Sequence, residues 1–168
     1  MIQVLVAAAV YLVLVALAFL RPAAGRRAMG IFFAVMAVGV NGAVTLFAPH
    51  LFVDLAAAAP WGWYRAIALT LTEPSPRVFG TVMVLGELTV AGLVLAPGRA
   101  ARLGLLGAAL FALGITPLGA ATPANPLLAV AALRLASIPW PESAFARADR
   151  GPVAEHAEAR GVHDVRVR

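Results

Sequence analysis

The chain has 168 residues, of which 62% are hydrophobic and only 12% are charged. Soluble domains are about half apolar and about one quarter charged, so this composition excludes an ordinary soluble domain and indicates a fold surrounded by lipid. There is no cysteine, which excludes disulfides, thiolate metal sites and thiol redox chemistry. The net charge of +5 comes from arginines scattered through loops and the tail, which is unlike a nucleic-acid-binding surface.

Five apolar segments predict transmembrane helices. The first covers residues 1–20 and has no charged side chain, and about 20 residues cross a hydrocarbon core of about 30 Å. A signal peptide is the alternative interpretation, but its basic start is missing here, which favours an uncleaved helix. The other four predicted helices cover residues 28–48, 78–96, 103–117 and 124–139.

Two long segments lie outside these helices. Residues 49–77 are mixed in character and contain Trp61, Trp63 and Tyr64. Aromatic side chains of this kind favour the headgroup level, so we predict an external interfacial loop. Residues 140–168 are polar, mixed in charge and without apolar periodicity, which predicts a disordered cytoplasmic tail.

The arginines predict how the transmembrane domain, residues 1–139, is threaded. If all five helices cross, the arginines between helices one and two, between helices three and four, and after helix five share one side. Cytoplasmic segments are enriched in Lys and Arg, so the N-terminus is predicted outside and the C-terminus in the cytoplasm. All thirteen basic residues are arginine, and alanine is abundant, which suggests a GC-rich bacterial genome and hence a bacterial inner membrane.

Three polar side chains fall inside the predicted helices: Asn41, Glu87 and Arg134. Counting along the helices places Glu87 and Arg134 roughly 13 to 15 Å below the outer boundary, and Asn41 roughly 10 to 13 Å below it. An isolated charge at a helix centre costs roughly 2.5 to 3.5 kcal/mol on insertion scales, so we predict a Glu87–Arg134 ion pair or charge-assisted hydrogen bond that faces the bundle interior. A ligand-binding or proton-handling site and a purely structural pair both remain open, as does snorkelling of Arg134.

The remaining candidates lie at the outer boundary. Trp61, Trp63, Tyr64 and Arg65 line either a site for a lipid or quinone headgroup or an interfacial belt. His50 is expected at the same boundary, with a relay or ligand role as the alternative. There is no Gly-rich phosphate loop, nucleophile elbow or zinc motif, so we expect no catalytic residue, no metal and no cofactor except a quinone.

Two segments, PWGWYRAI at 60–67 and GELTVAGLVLAPGRAARLGLLGAALFALGITPLG at 86–119, resemble the DoxX-like family of small bacterial membrane proteins. The resemblance extends over residues 29–138. It implies an all-α polytopic membrane bundle with a four-helix core, preceded here by one N-terminal transmembrane helix. It also implies that Glu87 is a family position. Thiol-based redox roles of relatives do not carry over, because the chain lacks cysteine.

The family name derives from a subunit of a quinone-linked thiosulfate oxidoreductase, and most members have no assigned activity. The resemblance therefore implies a non-enzymatic partner subunit of a membrane complex, which would contact lipid and another membrane protein. The alternatives are a small transporter or lipid- or quinone-binding protein that uses Asn41, Glu87 and Arg134, and a membrane enzyme that acts on a quinone near Trp63. Whether a cavity reaches Glu87 separates these hypotheses.

Overall fold

A computed structural model of the chain describes residues 2–118 and 124–145, and every regular element within these ranges is a helix. The all-α fold class is therefore confirmed. The seven helices of the described residues are α1 Ile2–Leu20, α2 Pro22–Phe47, α3 His50–Ala57, α4 Gly62–Thr72, α5 Pro76–Leu95, α6 Gly98–Ile115 and α7 Asn125–Ala136. The helix α2 contains a π-helical segment, Met36–Gly42, between two α-helical parts.

Proline and glycine set several helix boundaries. Pro22 and Pro76 occupy the first turns of α2 and α5, where a missing backbone N–H costs nothing. Gly98 has a φ of 63°, a left-handed conformation that favours glycine and permits the sharp turn between α5 and α6. The prediction that the second helix begins at residue 28 is wrong, because the helix begins at Pro22. Its first turns contain Arg26 and Arg27, which a prediction based on hydropathy assigned to a loop.

Among the described residues, three helices are long and apolar enough to cross a membrane, namely Pro22–Phe47, Pro76–Leu95 and Gly98–Ile115. The part Leu5–Leu20 of α1 and the helix Asn125–Ala136 are shorter apolar stretches. Large apolar side chains are exposed along the outside of all five, including Leu12, Leu85 and Leu110. A surface of this kind suits lipid and not water, so the chain is a multi-pass membrane protein.

Small residues fill the centre of the bundle. Ala108, Ala112, Ala131 and Ala132 are fully buried in a core that α6 and α7 share. A side chain at Gly104 would place its Cβ 2.5 Å from the backbone nitrogen of Val94, so α5 and α6 approach at backbone distance. Membrane helices pack in this way because lipid provides no hydrophobic drive, and close contact must replace it.

The five apolar helices form a closed ring. α2 packs on α1 and α5, α6 packs on α5 and α7, and α7 returns to α1. α1 belongs to the common core, to which it contributes Leu14 and Ala18.

The segment predicted as an interfacial loop, residues 49–77, is mostly helical. It forms α3 and α4, which pack on each other and on α5. The mixed composition of this segment hid both helices from a prediction based on hydropathy, but helix formation still satisfies most of its backbone hydrogen bonds.

Candidate functional site

One polar pair lies at the middle of the bundle. Asn41 Nδ2 donates a hydrogen bond of 2.8 Å to Glu87 Oε2. Glu87 lies near the centre of α5 and is only 2% exposed. Asn41 belongs to the π-helical segment of α2. The structure therefore brings these two predicted site residues together, because α2 and α5 pack side by side.

The helices α2, α3 and α5 are closely packed next to this pair. Thr45 Oγ1 donates to the backbone oxygen of Asn41 at 2.6 Å, which ties the end of the π-helical segment to the next turn. Gly80 faces Thr45 and Phe52 so closely that an added Cβ would lie 2.6 Å from the Phe52 ring. Any larger residue at position 80 would separate α2 from α5 there.

The predicted Glu87–Arg134 ion pair is wrong. The Arg134 guanidinium carbon lies 5.6 Å from the centre of the Phe19 ring of α1, and Nη1 donates to Ser137 Oγ at 3.2 Å. α7, which carries Arg134, packs on α1 and α6, whereas α5 packs on α2 and α6. The two side chains were predicted at the same depth in the membrane, but they do not lie at the same helix–helix interface. Arg134 lies in the last turn of α7, which agrees with the snorkelling alternative.

The predicted outer aromatic residues form a ladder on the surface. Trp61 stacks on Trp63 with ring centres 6.2 Å apart, and Trp63 meets Tyr64 edge to face at 5.7 Å. The two tryptophans are 53% and 65% exposed. Arg65 and His50 are also exposed. The arrangement matches an interfacial belt more closely than the mouth of a pocket.

Tyr64 connects this ladder to the bundle. Its hydroxyl donates to the backbone oxygen of Gly114 at 2.6 Å, so α4 caps one of the last carbonyls of α6. Burial raises the pKa of Tyr64, because the phenolate loses hydration there. The hydroxyl therefore stays a hydrogen-bond donor throughout the physiological range.

A second polar site, not predicted from the sequence, surrounds Arg26 at the opposite end of the bundle from the aromatic ladder. Arg26 is 2% exposed. Its Nε donates to the backbone oxygen of Val94 at 2.7 Å, and its Nη2 donates to those of Leu95 and Ala96. These carbonyls end α5 and have no partner inside the helix. A positive charge also suits the negative end of the helix dipole.

The signal for this site was present in the sequence. Arg26, Met29, Gly30 and Phe33 are all buried and follow the i, i+3, i+4, i+7 spacing of one helix face. Hydropathy placed Arg26 in a loop, whereas Pro22, a helix-start residue, places it in the helix. Read from Pro22, the pattern predicts an arginine that faces the bundle.

The chain after α7, residues 139–145, packs against this same end. Nη1 of Arg26 donates to the backbone oxygen of Glu142 at 3.0 Å, and the guanidinium carbon lies 4.8 Å from the centre of the Trp140 ring. Ala144 N donates to the backbone oxygen of Leu95 at 2.9 Å. The predicted disorder is therefore wrong for residues 140–145, and residues 146–168 lie outside the described part of the chain.

Two clefts border this C-terminal segment. The first, of about 350 Å³, is lined by Ala23, Arg26, Arg27 and residues 139–144. The second, of about 420 Å³, is lined by Gly98, Arg99, Arg102 and residues 138–141. Neither cleft includes Asn41 or Glu87 in its lining. Within residues 2–118 and 124–145, no group of three or more metal-ligating side chains comes together.

Comparison with known proteins returned no matching family model, no matching curated protein and no matching solved structure. The resemblance to the DoxX-like family therefore stays a prediction from the two quoted segments.

Proposed function

We propose that this chain is a non-enzymatic subunit of a membrane complex in a bacterial inner membrane, of the DoxX-like kind, with five crossings. The observation that carries the proposal is the enclosure of Glu87. Its carboxylate is buried, hydrogen-bonded to Asn41 and absent from the lining of both clefts. A buried carboxylate that is hydrogen-bonded within the bundle supports a structural role for this pair, so we place contacts with other molecules on the surface. A quinone-linked complex is the form that the resemblance favours.

The distribution of arginines supports an external N-terminus and a cytoplasmic C-terminus. Contacts of Arg26 gather three segments at one end of the bundle: the first turns of α2, the α5–α6 turn and the C-terminal segment. Arg21, Arg99 and Arg102 belong to the same end. An end rich in arginine normally faces the cytoplasm. The shorter helix α7 crosses by local thinning of the bilayer or by snorkelling of flanking residues.

The threading is tested with single cysteines, since the chain has none of its own. Gly62→Cys lies at the start of α4, where an added side chain meets nothing within 4 Å, and Ser143→Cys lies in the C-terminal segment. A membrane-impermeant maleimide should label the first variant in intact cells and the second only after permeabilisation. The reverse pattern contradicts the orientation. Labelling of both from one side contradicts an odd number of crossings between them.

The subunit role is tested by chemical cross-linking in native membranes, followed by purification in mild detergent and blue-native electrophoresis. We expect the chain to migrate with one membrane protein in constant stoichiometry. Recovery of the chain alone, in the presence and absence of cross-linker, contradicts the subunit role.

One observation favours the alternative of a transporter or a lipid- or quinone-binding protein. Asn41 lies in a π-helical segment, and such turns are frequent at functional sites. Thr45→Cys replaces a hydroxyl beside the Asn41–Glu87 pair and reports whether water reaches it. Under the subunit proposal, a small maleimide labels Ser143→Cys and leaves Thr45→Cys unreacted. Labelling of Thr45→Cys, blocked by a quinone analogue, supports the alternative instead.

A further inference from the structure

The second cleft differs from the first in its charges. Its lining contains two cations, Arg99 and Arg102, and no acidic residue. The first cleft includes Glu142, and both of its arginines donate to backbone carbonyls, Arg26 to several and Arg27 to that of Ala144. The second cleft is therefore the one with cationic groups available to a ligand.

Arg99 and Arg102 are positioned to act together. They lie three residues apart in the first turns of α6, so their side chains share one side of that helix. Both are exposed, and neither has a hydrogen bond or ion pair within the described residues. Guanidinium groups bind phosphate through paired N–H donors, and two of them at one cleft suit a phosphate group.

The rest of the cleft is apolar and held in place. Ile138, Pro139, Trp140 and Pro141 form its wall. Gly98 N donates to the backbone oxygen of Trp140, and Trp140 Nε1 donates to the backbone oxygen of Leu135 at 2.9 Å. These bonds fix the wall to α6 and α7, so no rearrangement is needed to form it. A free inorganic anion makes no favourable contact with an apolar wall, whereas the glycerol and upper acyl carbons of a lipid pack against it.

We propose that this cleft binds the headgroup of an anionic phospholipid, with its phosphate on Arg99 and Arg102 and its glycerol region against Trp140. The cleft lies at the C-termini of α5 and α7 and at the N-terminus of α6. In a membrane protein with these helices, that is the depth of the lipid headgroups. Its volume of about 420 Å³ falls in the range of small-molecule sites. The proposal requires only that the chain is embedded in a membrane, and it holds whether or not the chain is a subunit of a complex.

Trp140 provides the test, because it lies in the cleft. Trp61 and Trp63, the other two tryptophans, are replaced by phenylalanine so that Trp140 is the only tryptophan. The full chain is reconstituted in phosphatidylcholine vesicles that contain increasing fractions of brominated phosphatidylglycerol or brominated phosphatidylcholine, and quenching of Trp140 fluorescence reports occupancy. We expect half-maximal quenching at a lower fraction of phosphatidylglycerol than of phosphatidylcholine.

Arg99→Gln with Arg102→Gln should reduce this preference by roughly fivefold for each arginine removed. The matched control is Arg21→Gln with Arg77→Gln, which removes the same charge from exposed arginines outside the cleft. Loss of the preference in the first pair and its retention in the control supports the site.

Three results overturn the proposal. The first is an unchanged preference in Arg99→Gln with Arg102→Gln, and the second is an equal loss in both pairs, which indicates only bulk charge. The third is abolition of the preference by millimolar inorganic phosphate but not by sodium chloride of equal ionic strength, which assigns the site to a free anion.

Discussion

Replacing Arg26 by alanine tests the strongest structural inference, that one buried guanidinium holds the arginine-rich end of the bundle together. The change removes donors from the last carbonyls of α5 and from the backbone oxygen of Glu142. It also removes the contact with the Trp140 ring. Both the end of α5 and the C-terminal segment would lose their shared partner.

The expected loss of stability follows from these contacts. Hydrogen bonds to charged groups contribute about 1.5 to 3 kcal/mol each, but bonds to one guanidinium are not independent. The Arg26 side chain is 2% exposed, so alanine also leaves a cavity. We therefore expect the free energy of unfolding to fall by about 3 to 5 kcal/mol, because backbone carbonyls lose their donor and the lost side chain leaves a cavity. Proteins of this size have about 5 to 15 kcal/mol in total.

The assay is unfolding in mixed micelles with increasing sodium dodecyl sulfate, followed by tryptophan fluorescence. Arg21→Ala is the matched control, because Arg21 is an exposed arginine at the same end and its loss changes the charge equally. We expect it to change the free energy of unfolding by less than about 0.5 kcal/mol. Arg26→Lys keeps the charge but not the planar fork, so it should fall between the two. If Arg26→Ala is no less stable than Arg21→Ala, water satisfies the α5 carbonyls and the capping argument is refuted.

Three further predictions use the same assay. Asn41→Ala should lower the free energy of unfolding by about 1 to 3 kcal/mol, because Glu87 loses its hydrogen-bond donor. Adding Glu87→Leu should recover part of this loss, and the absence of any recovery contradicts the Asn41–Glu87 interaction. Gly104→Ala should lower the free energy of unfolding by about 1 to 3 kcal/mol, because the added methyl group forces α5 and α6 apart. Gly114→Ala is the control, because an added side chain there meets nothing within 4 Å. Equal effects of the two changes contradict the close approach of the helices. Tyr64→Phe should lower the free energy of unfolding by about 0.5 to 1.5 kcal/mol. Because the folded pKa of Tyr64 is raised, the contribution of Tyr64 to stability is full below its unfolded pKa of about 10 and declines only above that pH. A decline of this contribution below pH 9 contradicts the reasoning.

Helix positions were the most predictable feature. Apolar length gives α1 and α5 to within two residues of their bounds, because each depends on local sequence, whereas the predicted start of α6, residue 103, is five residues late. The errors fell where hydropathy and helix formation disagree. Arg26 and Arg27 lowered the hydropathy of the first turns of α2, and the mixed composition of residues 49–77 hid two helices.

The polar groups show where counting along a helix stops being informative. Depth placed Asn41 and Glu87 near each other, and they do form a hydrogen bond. The same count placed Arg134 at that level, yet its helix packs mainly on α1 and α6. Depth is a property of one helix, whereas a contact depends on which helices are neighbours and on how each is rotated.

By itself, the sequence determined that this chain lives in a membrane, that it is all helical, and that a carboxylate lies at mid-depth. These properties follow from composition and local periodicity, which a helix expresses wherever it packs. Only the tertiary structure decided the partner of Glu87, the capping of α5 by Arg26 and the ordering of residues 140–145. Those contacts join residues far apart in the chain, so they depend on the order of helices around the bundle, which no single segment encodes.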